Sequence, residues 1–505
     1  MASSSSSYLV FFVLIWGLQS CNGSGTFGFN MYHRYSEPVK SILGLDGLPE
    51  KGSPEYCAAM IHRDRERRLA STPLTFVAGN KTLQIPAFGF LQYANISVGT
   101  PSLSFLVALD TGSDLFWLPC DCMSCVHSLK RRSGEVIDLN IYSPNTSSTS
   151  MNVPCNSTLC SQQRQCSATN NTCPYQLGSP LDGPMSIGIL VEDDLHLSTD
   201  DSQLKAVDAR ITFGCGMIQT GSYLKGLAPN GLFGLGMDNI SVPSMLASEG
   251  LAANSFSMCF GPDGIGRISF GDKGAPDQAE TPFNLNQSNP IYNISMTQIA
   301  VDKNVTDLNF DAIFDSGATF TQLNDPAYTA ISESFNSQVK EKRHPSDSNI
   351  PFEYCYELSE NQTTDIPNVN LTMKGGNQFF VTDPIVLVSL ESEYLYCLGV
   401  VKSWDVNIIG LNFMTGYRVV FDREKMVLGW KASECYDARE SSVPTAVPPT
   451  MAPGVTSGSV NGSPAPSASS MSHVSPSNSS HFTSFAVTLF TFLSLLIHSS
   501  LAAPF

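Results

Sequence analysis

From about Gly89 to Cys435 the apolar residues come in short runs, rich in β-branched and aromatic side chains and broken by Gly, Pro, Asn and Asp. Gln92–Val98, Phe105–Leu109, Ile211–Phe213, Arg267–Phe270 and Arg418–Phe421 are examples. Runs of this length and texture predict strands. Helical periodicity is rare. The best stretch is Asp325–Lys340, with Asn324 or Asp325 as its cap. The body is therefore expected to be all-β.

The two ends follow other patterns. Tyr8–Leu18 is a short apolar run followed by small and polar residues. It has the size of a signal-peptide core and is too short to cross a bilayer, with cleavage expected near Ser20–Gly23. From Ser441 to His481 the chain is mostly Ser, Pro, Ala, Thr, Gly and Val, a composition that reads as an extended stalk. The apolar tail Phe485–Ile497 follows, and no Lys or Arg comes after Arg439. A membrane span usually carries basic residues on its cytoplasmic side. Small residues, a polar spacer and a short apolar tail instead match a glycolipid (GPI) attachment signal, with Ser477, Asn478 and Ser479 as candidate sites.

The strand-rich region contains an internal repeat. Ala108-Leu109-Asp110-Thr111-Gly112-Ser113 is followed by Gly231-Leu232-Phe233-Gly234-Leu235-Gly236. Ile313-Phe314-Asp315-Ser316-Gly317-Ala318 is followed by Asn407-Ile408-Ile409-Gly410-Leu411. Each half thus has two apolar residues, Asp, Thr or Ser, and Gly, then two apolar residues and Gly downstream. Two lobes with one carboxylate each follow. Two facing carboxylates cannot both ionise easily, so such a pair shares one proton and can serve as both acid and base. Gly112 and Gly317 would allow close approach to the carboxylates. Thr111 and Ser316 can bond across the lobe interface, and Ser113 can donate to Asp110. Ala318 cannot do the same for Asp315, which should extend activity to higher pH than in a Thr variant.

Charge and cysteines narrow the setting. The net charge of −17 over 505 residues argues against nucleic acid as a partner. Of 14 cysteines, Cys21 lies at the signal boundary and Cys57 in the N-terminal extension. The rest are Cys120, Cys122, Cys125, Cys155, Cys160, Cys166, Cys173, Cys215, Cys259, Cys355, Cys397 and Cys435. That even set suits six disulfides of unspecified connectivity in an oxidising compartment. Cys120-Asp-Cys122-Met-Ser-Cys125 also looks like a zinc knuckle, but disulfides are the better reading. Sequons at Asn80, Asn95, Asn145, Asn156, Asn170, Asn239, Asn286, Asn293, Asn304, Asn361 and Asn370 predict a glycosylated surface. The basic stretch His62–Arg68 reads equally as a solvated helix face or as a prosegment lying across an acidic cleft.

On these residues, about Gln92 to Cys435 resembles the pepsin-type aspartic protease family. The run Asn407–Trp430 is similar to that family's C-terminal signature. The cysteine-rich insert after Asp110, the Phe213-Gly-Cys215-Gly segment and the tail resemble its plant nepenthesin-like branch. Asp110 and Asp315 stand 205 positions apart, more than in pepsin-like chains, and the insert accounts for the excess. The resemblance implies a bilobal all-β fold, a cleft between the lobes, a β-hairpin flap, and Trp117 as the tryptophan near it. It also implies Asp110 and Asp315 as the catalytic pair, polypeptide substrates, and neither metal nor cofactor. The flap position that usually carries tyrosine falls on Ser179, and Tyr175 is the nearby tyrosine, in a Cys-Pro-Tyr motif. The expected organisation is a signal peptide (1–23), an extension or prosegment (24–88), lobes at 89–282 and 283–438, a stalk (439–481) and an attachment signal (482–505). The expected product is a monomeric endopeptidase, GPI-anchored at the cell surface. The competing reading is a non-catalytic inhibitor-like or receptor-like protein on the same scaffold. No Gly-x-Ser-x-Gly or His-Glu-x-x-His sequence supports a serine or metal hydrolase.

Overall fold

The alternation of apolar and polar positions resolves into two large sheets. The computed structural model describes residues between 25 and 435, except 34–35, 37–38, 40–75, 79–80, 84–91, 131–135, 162–165, 167–170, 179–183, 199–204, 226–227, 262–264, 286–289, 348–349, 359–364 and 391–393. The expected signal peptide, the basic stretch at 62–68, the stalk and the attachment signal with Ser477, Asn478 and Ser479 lie outside the described residues. So do Cys21, Cys57, Ser179 and the sequons at Asn80, Asn170, Asn286 and Asn361. No described helix is long and apolar enough to cross a membrane.

The first sheet begins at the hairpin Pro174–Leu177 and Ser186–Ser198. It runs on through Ala206–Gln219, Trp117–Ser124, Leu232–Gly234, Leu103–Asp110 and Gln92–Val98. It then continues through Phe27–His33, Ile265–Phe270, Ser255–Phe260, Tyr417–Asp422 and Val427–Ala432 to Ala279–Pro282. The second sheet holds Gln378–Val381, Val369–Met373, Asn293–Val301, Asn304–Phe314, Ile408–Ile409, Thr321–Leu323 and Val400–Lys402. The all-β expectation holds, and the five runs singled out above all fall within strands. The last two strands of the C-terminal half cross back into the sheet of the first half, so the halves share main-chain hydrogen bonds. Arg418 strengthens the join, donating from Nε to Asp272 at 2.9 Å.

Two expectations need correction, and the segment read as an extension or prosegment contains a strand, Phe27–His33, between Ile265–Phe270 and Gln92–Val98. Phe27 and Met31 are buried, and Phe29 meets Phe233 and Phe270 edge-on. The alternation Phe27, Phe29, Met31 is the signal that places this strand. The helix expected over Asp325–Lys340 spans only Ala327–Asn336, and neither Asn324 nor Asp325 caps it. Pro326 takes the N-cap, where its missing N–H costs nothing. Past the other end, the Ser337 hydroxyl turns back to the Ser334 carbonyl at 2.8 Å. The sequon at Asn293 is buried at 6% exposure, which leaves no room for a glycan, whereas Asn95, Asn145, Asn156, Asn239 and Asn304 are exposed and Asn370 is half-buried.

The six disulfides are Cys120–Cys215, Cys122–Cys125, Cys155–Cys166, Cys160–Cys173, Cys259–Cys435 and Cys355–Cys397. All twelve cysteines of the body are used, and the zinc-knuckle residues are among them. Three of these bridges, Cys122–Cys125, Cys155–Cys166 and Cys160–Cys173, lie in the cysteine-rich insert after Asp110. The insert is also fastened by Asp193, a fully buried carboxylate. Asp193 accepts from Tyr142 and Thr149, each at 2.5 Å, and from its neighbour's backbone N–H at 2.8 Å. Burial opposes its charge, but hydrogen bonds from Ser147, Thr149, Tyr142 and the Asp194 N–H hold its carboxyl below the usual range.

His196 pins the long strand Ser186–Ser198 to the turn at Gly99. One ring nitrogen lies 2.7 Å from Asp208 and the other 2.8 Å from the Gly99 carbonyl, so both face acceptors. Burial disfavours the charged ring, yet the Gly99 carbonyl and Asp208, with Asp194 nearby, outweigh it and raise the pKa above 6.5. A raised folded-state pKa means that the stabilisation is complete below the unfolded value and is lost as pH rises through the folded value. Thermal unfolding of His196→Ala should therefore show a larger loss at pH 5 than at pH 8. Equal losses at the two pH values would sink this account.

Candidate active site

Asp110 ends a strand and Asp315 directly follows one, and each strand's parallel neighbour carries the second part of the repeat. Leu103–Asp110 pairs with Leu232–Gly234, placing Gly234 beside Asp110. Asn304–Phe314 pairs with Ile408–Ile409, placing Ile409 beside Phe314, and the Asp315 N–H donates to the Ile409 carbonyl at 3.1 Å. The glycines after the apolar pairs are needed for close approach. A Cβ on Gly234 would stand 2.1 Å from the Asp114 carbonyl oxygen, and one on Gly410 would stand 2.6 Å from the Phe320 carbonyl carbon. The repeat thus encodes two equivalent loops packed against two equivalent turns.

The loops meet through the residues after each aspartate. The Thr111 N–H donates to Ser316 Oγ at 3.2 Å, and the Ser316 N–H donates to Thr111 Oγ1 at 3.0 Å. The Thr111 hydroxyl donates onward to the Phe314 carbonyl at 3.3 Å. All of this is buried, and Asp110 and Asp315 are only 4% and 3% exposed. The two aspartate loops are thereby joined in a buried site. The Gly112 N–H donates to Asp110 Oδ1 at 3.0 Å, and the Gly317 N–H donates to Asp315 Oδ1 at 2.8 Å. The Ser113 hydroxyl donates to Asp110 Oδ2 at 2.9 Å. At the matching position Ala318 presents a buried methyl group. The unequal pair expected from the sequence is therefore present in the geometry.

The flap expectation divides. Pro174–Leu177 and Ser186–Ser198 do pair as a hairpin, with Tyr175 opposite Gly188, and its tip at 179–183 lies outside the described residues. Tyr175, however, lies in the hairpin's buried base. Its hydroxyl is 2.8 Å from Ser186 Oγ, and its ring packs on the bare backbone of Gly214 and Gly216. Tyr175 is thus a core residue of the hairpin and does not bond Trp117. Trp117 is fully buried, and its Nε1 has no hydrogen-bond partner among the described residues. Among the described residues, the ring that meets Trp117 is that of Tyr223, edge-on at 5.0 Å. Sequence reading passed over Tyr223, because nothing in Gly221-Ser222-Tyr223 separates it from an ordinary loop tyrosine.

Asp114 was also overlooked. Its carboxylate accepts the Asp238 N–H at 2.8 Å. Burial pushes its pKa above the usual range despite that bond. A polar residue one step beyond a repeated motif carries no periodic signal, so only its surroundings give it this role.

Comparison with known proteins agrees with this geometry. Residues 93–272 match the model of the xylanase inhibitor N-terminal family, and residues 291–432 match that of the xylanase inhibitor C-terminal family. Aspartyl protease family protein 1 of Arabidopsis thaliana is 56% identical over 442 residues, which cover 86% of each chain. Aspartic proteinase-like protein 1 of the same plant is 36% identical, over 90% of this chain and 88% of its own. Aspartic proteinase nepenthesin-2 of Nepenthes gracilis is 24% identical, over 73% and 84%. Among solved structures, soybean basic 7S globulin superposes with a TM-score of 0.54 at 22% identity, covering 68% of this chain and 92% of its own. Lupine conglutin gamma gives 0.55 at 21% identity with the same coverage. At such identities the structural likeness speaks for the fold alone. With the paired Asp-Thr-Gly and Asp-Ser-Gly loops joined across two β halves, the chain belongs to the pepsin-type aspartyl protease family.

Proposed function

We propose that this protein is an aspartic endopeptidase that hydrolyses polypeptides with the Asp110–Asp315 pair, held at the outer face of the plasma membrane by a glycolipid anchor. The observation that carries the catalytic reading is the Thr111–Ser316 join, which brings both carboxylates together, each with its inner oxygen held by a glycine N–H. The pair holds one proton between its two members, the general chemistry of aspartic proteases. The ionised aspartate takes a proton from a water molecule as that water attacks the scissile carbonyl carbon. The protonated aspartate donates to the carbonyl oxygen, giving a tetrahedral diol. Collapse of the diol breaks the C–N bond, and a proton passes to the leaving amine. Peptide-library cleavage by the wild type, with pepstatin as inhibitor, tests this reading. Absence of cleavage at every pH between about 3 and 8 would overturn it.

A second reading has its own support. The matching family models are described as xylanase inhibitors, and the superposing solved structures are seed globulins. A non-catalytic binding protein on this scaffold would bind polypeptide without cleaving it. Both aspartates with their supporting donors favour catalysis.

The location rests on the terminal patterns alone, the run Tyr8–Leu18 and the tail Phe485–Ile497 after a Ser- and Pro-rich stretch. Treatment of intact cells with a phosphatidylinositol-specific phospholipase should release the enzyme into the medium. Retention on the membrane after that treatment would refute the anchor.

A further inference from the structure

Tyr292 touches the supports of both catalytic loops. It is fully buried. Its backbone carbonyl accepts the N–H of Phe314, the residue before Asp315, at 2.9 Å. Its phenol donates to the Leu235 carbonyl at 2.6 Å. The Leu235 N–H donates in turn to the Asp110 carbonyl at 3.0 Å. A path of three hydrogen bonds therefore runs from the strand of Asp315 through one tyrosine to the backbone of Asp110. It lies apart from the Thr111–Ser316 join and uses none of the same atoms.

The turn that Tyr292 grips is itself fastened to the Asp110 loop. The Gly236 N–H donates to the Ser113 carbonyl at 2.8 Å, and the Asp238 N–H donates to Asp114 at 2.8 Å. Arg423, also from the second half and nearly buried, donates to the Met237 carbonyl at 2.9 Å and to Ser241 Oγ at 3.2 Å. The turn 235–238 thus stands between the first catalytic loop and two side chains of the second half. The Tyr292 ring is held in place by Phe421 at 4.6 Å, Phe283 at 5.4 Å and Phe256 at 6.0 Å. Burial raises the pKa of its phenol, which stays a neutral donor.

We propose that Tyr292 is a positioning residue that sets Asp110 relative to Asp315 through the Leu235 carbonyl and the Phe314 N–H. The inference rests on the peptidase reading above. The physical reason is the steep dependence of proton transfer on geometry. A displacement of about 1 Å at a reacting pair costs on the order of 100-fold in rate. Loss of one of two joins should cause a smaller slip than that. The two titrations of a coupled pair also depend on the separation of its members.

Tyr292→Phe keeps the ring and its packing and deletes the bond to Leu235. It is expected to lower kcat by about 5- to 20-fold with KM changed by less than about twofold, and to move the limbs of the kcat–pH profile. Tyr417→Phe is the control. It deletes the same kind of bond, from a phenol to the Phe380 carbonyl at 2.7 Å, in a place bonded to neither catalytic loop. It should leave kcat and the pH profile unchanged. Amide hydrogen exchange at Leu235 and Phe314 should be faster in Tyr292→Phe than in Tyr417→Phe. An unchanged kcat and pH profile in Tyr292→Phe, with an active wild type and an inactive Asp110→Asn, would overturn the coupling and leave the peptidase reading standing. Equal losses in both tyrosine variants would reduce the effect to general destabilisation and overturn it too. If the wild type hydrolyses nothing, the peptidase reading fails. The exchange rates then decide the coupling, faster exchange at Leu235 and Phe314 supporting it and equal exchange in the two variants overturning it.

Discussion

Asp110→Asn is expected to lower kcat/KM for peptide hydrolysis by about 10²- to 10⁴-fold, the range for loss of a positioned general base or acid. Asparagine has nearly the shape of aspartate but cannot take a proton from water. The loop around it should persist, because Thr111 and Ser316 make their cross-interface bonds with backbone and hydroxyl atoms that the change does not touch. The Gly112 N–H can still donate to the amide oxygen. Unfolding temperature should therefore move little while activity collapses, and that separation is what assigns the effect to chemistry. Asp315→Asn should behave in the same way. The measurement is initial-rate hydrolysis across pH beside a thermal unfolding scan. Equal hydrolysis by wild type and Asp110→Asn would remove the pair from the mechanism. Tight peptide binding without turnover in the wild type would favour the binding-protein reading.

The second large effect is on stability. Replacing Cys120 and Cys215 together with alanine should destabilise the fold by about 4–5 kcal/mol in the chain-entropy limit. This bridge closes a loop of sequence separation 95 between two buried residues on adjacent strands, Trp117–Ser124 and Ala206–Gln219. Alanine is preferred over serine because a buried hydroxyl without a partner adds its own cost. The same change at Cys155 and Cys166, which span 11 residues, should cost about 3 kcal/mol or less. Melting temperature should fall by on the order of 5–10 °C for the first pair and by less for the second. A reversed order, or a fall below about 2 °C for the first pair, would refute the chain-entropy account. The bridge also holds the strand of Trp117 beside that of Gly214, so KM should rise with its loss.

Much of this architecture was legible in the order of residues. Strand runs such as Gln92–Val98 could be read because side chains alternate across a sheet. The paired motifs around Asp110 and Asp315 could be read because equivalent loops need the same residues twice. The twelve body cysteines, being even in number, announced complete pairing. The strand Phe27–His33 was readable in principle but was hidden by its distance from the rest of the body. The helix from Ala327 fell short of its pattern because Pro326 and Ser337 set its ends locally.

What the order of residues determined by itself is the all-β class, the duplication and the two matching aspartate loops, since each rests on local pattern or on repetition. The cysteine partners, the burial of Asn293, the role of Tyr175 in the hairpin base and the meeting of Tyr223 with Trp117 were decided only in three dimensions. So was the fastening of the turn beside Asp110 by Tyr292, Asp114 and Arg423. These are contacts between residues far apart in the chain. No periodicity records them, because their geometry exists only once the two halves have packed together.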